Sequence, residues 1–347
     1  MAETQRRPLS PDDSLPLVEP PSAAFLVQLF LVPGLIVAII VCVWLAFHWL
    51  AHLGNDPQAY VRTLRRDNEG RWQAALNLAN DLRGPGGDAL KSDEALGTEL
   101  GRILTDEAAS SHTGEQSQTL QLYLCRALGE FAIPSVAEPL IARARDLSDP
   151  QTARAAVEAM AVLVTNLVAA GRSVADPAAL SDAVVAASKS DDSGLRSAAA
   201  FTLGVAGGTK AADRLVELTG DSAEDVRANA ALGLARLGRQ ESVDGLAEML
   251  ATPEVPPSAV AARGQDDVGQ SKRYRRALIV INALRGVALL VDATQQPPPQ
   301  AIVDRVHSLR QDSVADVRVS AAALATRIQR LSAALPADAS SNGSGVE

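Results

Sequence analysis

Three groups of residues have types and spacings that could do chemistry. His48 and His52 stand four apart, so a helix carries both on one face, the spacing of a haem or metal ligand pair. No third or fourth ligand stands nearby, whereas Trp44 and Trp49 do, so an interfacial belt at the end of an apolar run is the simpler reading. Asp221 with Arg227, and Asp312 with Arg318, repeat one spacing of opposite charges that could serve chemistry, but they read as structural ladder positions of a repeat. Lys272, Arg273, Arg275 and Arg276 gather four cations at the expected start of a helix, where the dipole disfavours them. An acidic partner surface or anionic lipid would offset them, and so would Asp266 and Asp267. His112 and His307 are isolated, and Cys42 and Cys125 have no companion at metal-ligand spacing. Phosphate-loop, dinucleotide, zinc-protease and serine-hydrolase motifs are absent, and Gly84–Gly87 follows a helical pattern and not a strand. Neither a catalytic centre nor a cofactor or metal site is expected.

The elements that must position these residues are helical. Hydrophobic residues make up 47% of the 347 but aromatics only 3%, so the apolar mass is Ala, Leu and Val, which suits closely stacked helices better than a sheet. A net charge of −9 argues against nucleic acid as a partner. Residues 29–47 read LFLVPGLIVAIIVCVWLAF, with no charge. As a helix they span roughly 28 Å, close to a bilayer's hydrocarbon thickness. The run exceeds a signal-peptide core and no small-x-small cleavage site follows it, so 23–53 is expected to be one transmembrane helix with its interfacial belt. Arg62, Arg65, Arg66 and Arg71 follow the span, against Arg6 and Arg7 before it, which places the bulk of the chain on the cytoplasmic side of the cell membrane. The Pro-, Asp- and Ser-rich residues 1–22, and the Ser/Gly/Asp-rich residues 334–347, are expected to be disordered.

Between these tails, over 54–333, one pattern recurs. Asp221, Val226, Arg227 and Ala230 match Asp312, Val317, Arg318 and Ala321, with looser copies around Arg71, Arg154 and Arg196. The period of about 30 to 45 residues is that of helix-pair repeats. Here the chain resembles the HEAT family, in particular the short HEAT-like repeats of phycobilisome lyases, over about residues 56–333. The resemblance implies an all-α solenoid of about seven helix pairs, with Asp and Arg forming a ladder between neighbouring repeats. In the first copies Arg65 and Ser148 stand where the Asp should be. Second helices are expected at 68–83, 117–131, 152–170, 194–206, 223–237, 272–291 and 314–333, separated by breakers such as Asp149-Pro150 and Pro297-Pro298-Pro299.

The connection at 251–270 is long for a compact repeat and is either a functional insertion or a simple expansion. A helix pair cannot bury its apolar face alone, so neighbours share a core and leave a long surface for recognition. The sequence therefore points to a membrane-anchored scaffold or adaptor that binds a protein partner. An assembly subunit of a membrane transport or envelope complex is the alternative. A lyase- or chromophore-associated role fits less well, because no bilin-handling cysteine or acid/base cluster accompanies the repeats.

Overall fold

The computed structural model describes residues 23–52, 57–66, 68, 70–110, 114–255 and 267–334. The tails expected at 1–22 and beyond Ala334, along with His112, Asp266 and most of the long connection, lie outside them. The chain divides into two units, 1–56 and 57–347.

The first unit contains α1 (Ala23–His52), with Pro33 inside it. Its stretch Val27–Phe47 has a mean hydropathy of 2.9 and buries no residue, so it is long and apolar enough to cross a membrane. His48 and His52 both fall on α1, and their side chains lie outside the described residues.

The second unit is an all-α solenoid. Its helices are α2 (Pro57–Leu64), α3 (Arg71–Arg83), the single turn α4 (Asp88–Lys91), α5 (Glu94–Ala109), α6 (Glu115–Gly129), α7 (Ala137–Arg145), α8 (Pro150–Ala169) and α9 (Pro177–Ala187). They continue with α10 (Ser193–Ala206), α11 (Thr209–Leu218), α12 (Glu224–Arg236), α13 (Val243–Leu250), α14 (Asp267–Thr294), α15 (Gln300–Leu309) and α16 (Ala315–Ala334). No strand occurs among the described residues. The pairs α2/α3, α5/α6, α7/α8, α9/α10, α11/α12, α13/α14 and α15/α16 follow one another, seven in all. The second helices pack each on the next, from α3 through α6, α8, α10, α12 and α14 to α16, and the first helices form the other layer.

Local chemistry sets the ends. Asp93, Asp149, Asp176 and Asp192 cap α5, α8, α9 and α10 by accepting from backbone N–H groups of the first turn. Pro150 and Pro177 follow two of these caps, at positions where a missing N–H costs nothing. Gly207 closes α10 with φ of 74°, a conformation few other residues adopt. Small residues let the second helices approach closely. A Cβ on Gly129 would stand 2.8 Å from the Ala159 Cα, and one on Gly204 would stand 2.4 Å from the Gly233 Cα. The helices α8 and α14 are also long and apolar, but each buries part of its surface in the stack.

One boundary differs from the sequence expectation. Helix α14 begins at Asp267 and not at Lys272, so the four cations stand more than a turn inside it. The dipole weakens within the first turn, so it no longer opposes them. Its buried face is Ala277, Val280, Ala283, Leu284 and Val287, while Leu278 is 42% exposed.

Candidate functional site

The charged residues separate into a structural ladder and an exposed surface. In the ladder, an arginine early in each of several second helices turns back on its own repeat. Arg196 donates through Nη1 to the carbonyls of Ser190 and Asp191, Arg227 to those of Asp221 and Ser222, and Arg318 to those of Asp312 and Ser313. The aspartates do likewise, Asp221 accepting from the Ala223 N–H and Asp312 from the Val314 N–H, each at 2.9 Å.

The carboxylates, however, pair with the preceding repeat. Asp221 takes both Nε and Nη2 of Arg196, at 2.8 and 2.9 Å. Asp312 takes Arg276, at 2.5 Å, as an ion pair whose alignment is not that of a hydrogen bond. Arg276 also reaches the carbonyl of Thr252, at 3.4 Å, where the other arginines reach the ends of their own first helices. Asp221 with Arg227, and Asp312 with Arg318, are thus joined through backbone carbonyls alone. Arg227 turns its Nη2 to Glu248, at 3.1 Å and largely in solvent. The Asp221 carboxyl is held below its ordinary pKa by the Arg196 hydrogen bonds, against the opposing effect of burial.

Arg276 therefore does not belong to a partner- or lipid-contacting cluster: it is 4% exposed and its partner Asp312 is 3% exposed. Lys272 and Arg275 remain on the surface and Arg273 is half-buried. Among the looser copies, Arg196 stands on the ladder. Arg154 does not, and pairs along its own helix with Glu158. Arg71 meets the buried Glu107 at 2.9 Å, and Ser117 donates to the same carboxylate. Arg196, Arg276 and Glu107 were missed as pairing residues because the partner of each lies in another repeat. The readable signal was an arginine facing an aspartate ahead of the next repeat's second helix, not the aspartate six residues before it.

The exposed surface runs along the solvent side of the second helices. Apolar side chains recur there that the core does not need: Val162 on α8, Phe201 on α10, Leu278 on α14 and Val319 on α16 are 37, 44, 42 and 69% exposed. Arginines accompany them. The Arg236 guanidinium lies 5.7 Å from the centre of the Phe201 ring, and that of Arg126 lies 5.4 Å from the Tyr123 ring. Tyr123 also stacks on Trp72, with centroids 6.0 Å apart. Between α8, α10 and α12 the surface dips into a cavity of about 600 Å³, lined by Arg154, Glu158, Ser197, Phe201, Asp225 and Arg275 among others. Among the described residues no His, Cys, Asp and Glu group could hold a metal. Cys125 is buried, and burial pushes its thiol up to about 12, so it is an inert core residue. His307 sits half-buried in the last turn of α15.

Stacked helix pairs joined by an inter-repeat ladder define an α-solenoid. Residues 180–264, about a quarter of the chain, match the HEAT repeats family, so those central repeats are similar to repeats of that kind. Among curated proteins none matches the sequence. Solved structures of similar outline include YibA from Escherichia coli, at 14% identity, covering 78% of this chain and 93% of that one, with a TM-score of 0.44. An engineered protein is similar at 17% identity over 80% and 98% of the two chains, TM-score 0.36. Human deoxyhypusine hydroxylase, solved with glycerol, is similar at 20% identity over 79% and 96%, TM-score 0.31. At these scores nothing those proteins do is carried to this chain.

Proposed function

We propose that this protein is a membrane-anchored scaffold whose solenoid binds a partner protein through the solvent side of its second helices. The work is recognition and not catalysis. The observation that carries the reading is the run of exposed apolar side chains along one layer of helices, together with the two arginine–ring contacts of Arg236 with Phe201 and Arg126 with Tyr123. Interface hot spots are built from such residues, since a rigid ring and a planar guanidinium bury large area at low entropic cost. HEAT repeats generally serve protein–protein interaction, which supports the same reading. The N-terminal apolar helix is compatible with a membrane anchor, and that anchor would hold the solenoid, and whatever it binds, at the cell membrane.

The test is a pull-down of the full chain from detergent-solubilised membranes, with partner stoichiometry measured for the parent, Phe201→Glu and Arg236→Glu. Both side chains are exposed, so the fold should persist, with melting within about 0.5 kcal/mol of the parent. The expected result is loss of a stoichiometric partner by at least about tenfold in each variant. Unchanged recovery in both variants would remove this face as the binding surface.

A further inference from the structure

The second helices carry another periodic feature besides the ladder. Arg227, Arg276 and Arg318 are each followed, nine residues on, by a further arginine: Arg236, Arg285 and Arg327. All three are exposed. Five residues after the ladder arginine the side chain is apolar, as Phe201 on α10, Leu232 on α12 and Ile281 on α14. Stacking brings the two sets together. The Arg236 guanidinium lies over the Phe201 ring of the preceding repeat. Leu232 reaches α14 beside Arg285, since a Cβ on Gly286 would stand 2.8 Å from its Cδ2. The layer therefore carries a row of arginines with a row of apolar side chains alongside. Neighbouring helices pack about 8–10 Å apart, which sets the step along each row.

The fold makes little use of these arginines. Arg236 ends α12, where the helix dipole favours a cation, but Arg285 and Arg327 stand well inside α14 and α16, where it contributes nothing. Arg327 shares the carboxylate of Asp292, whereas Arg236 and Arg285 have no carboxylate partner among the described residues. The stretches 201–205, 232–236, 281–285 and 323–327 contain no acid. From α8 on, the other acids of this layer are Glu158, which pairs with Arg154, and Glu224, Asp225, Asp267 and Asp316, which occupy helix starts. Like charges set side by side repel, and an anionic partner relieves that repulsion.

We propose that the partner of the scaffold reading, on which this depends, presents an acidic amphipathic segment. It runs across the second helices, with carboxylates on Arg236, Arg285 and Arg327 and apolar side chains on Phe201, Leu232 and Ile281. Charge complementarity names this occupant, because a planar guanidinium suits a carboxylate held in place by a polypeptide. Anionic lipid is disfavoured. Leu232 and Ile281 are half-buried, recessed too far to enter a bilayer but open to a side chain inserted from above.

The experiment uses the full chain in native membranes with the photo-crosslinker substitution Phe201→benzoylphenylalanine, alone and combined with Arg285→Glu or Arg285→Lys. Position 285 is exposed, so the fold persists in both. The expected product is a protein adduct whose yield falls at least about tenfold with Arg285→Glu, survives Arg285→Lys and declines as salt is raised. In a second arm a carbodiimide, which joins amines to carboxylates without a spacer, is added to Arg236→Lys and Arg285→Lys. Each introduced amine should be linked to an Asp or Glu of that same protein. A protein adduct indifferent to Arg285→Glu, or one without carbodiimide links, leaves the scaffold reading standing and overturns the acidic partner. An adduct with lipid alone, or no adduct, overturns both.

Discussion

At the scale of single residues, the ladder arginines differ in what surrounds the carboxylate they hold, and their stability effects should differ accordingly. Asp312 has a side chain with no solvent exposure, so Arg276→Ala strands a buried charge and should cost about 3–5 kcal/mol in chemical denaturation. Glu248 is 61% exposed, so Arg227→Ala should cost about 1 kcal/mol, most of it from the lost carbonyl bonds. Equal costs would contradict the assigned pairing. The Arg196–Asp221 pair adds a pH signature. The folded pKa of Asp221 lies below its unfolded value, so its contribution is present above the ordinary carboxylate pKa of about 4 and is lost as pH falls through the folded value. Arg196→Gln should therefore lose about 1–3 kcal/mol at pH 7, and the gap to the parent should narrow in melts near pH 3. It should not vanish, since the bonds to Ser190 and Asp191 do not titrate. The sequence revealed these arginines and aspartates as a recurring set of ladder positions between repeats, but not which arginine each aspartate meets. A spacing of six describes a turn within one repeat, whereas the charge pairing is set by stacking, which brings together residues 25 or 36 apart.

At the scale of helices, close approach between second helices is the feature most open to test. Gly204→Val must push α10 from α12, because the added Cβ would meet backbone and not a side chain that can swing away. A loss of about 1–3 kcal/mol is expected, the usual cost of overpacking. Gly114→Ala, where nothing stands within 4 Å of the new atom, should change little. Thermal melts of both variants check this, and equal effects would contradict the packing. The second helices were legible because their apolar periodicity and their Asp-Pro, Gly and Pro breakers agree. The start of α14 was not. Gly269 and the polar run around it resemble a loop in propensity, and the packing of Ala277, Val280 and Leu284 carries the helix back through them.

At the scale of the whole molecule, the apolar helix was legible from composition alone, because 21 uncharged residues have few other uses. The proposed recognition face was not. An exposed Val, Phe or Leu is unremarkable by itself, and only the stacking of α8, α10, α12, α14 and α16 gives such residues a common side. If the arginines after the span set its orientation, protease added outside spheroplasts should leave the solenoid intact and should digest it after lysis. The central claim, partner binding by the second-helix layer at the membrane, is tested most directly by crosslinking native membranes and mapping the intermolecular crosslinks by mass spectrometry. The account predicts that they fall on the exposed residues of the second helices α6, α8, α10, α12, α14 and α16 and disappear with Phe201→Glu and Arg236→Glu. Crosslinks confined to the first helices, or a map unchanged by both substitutions, would contradict it.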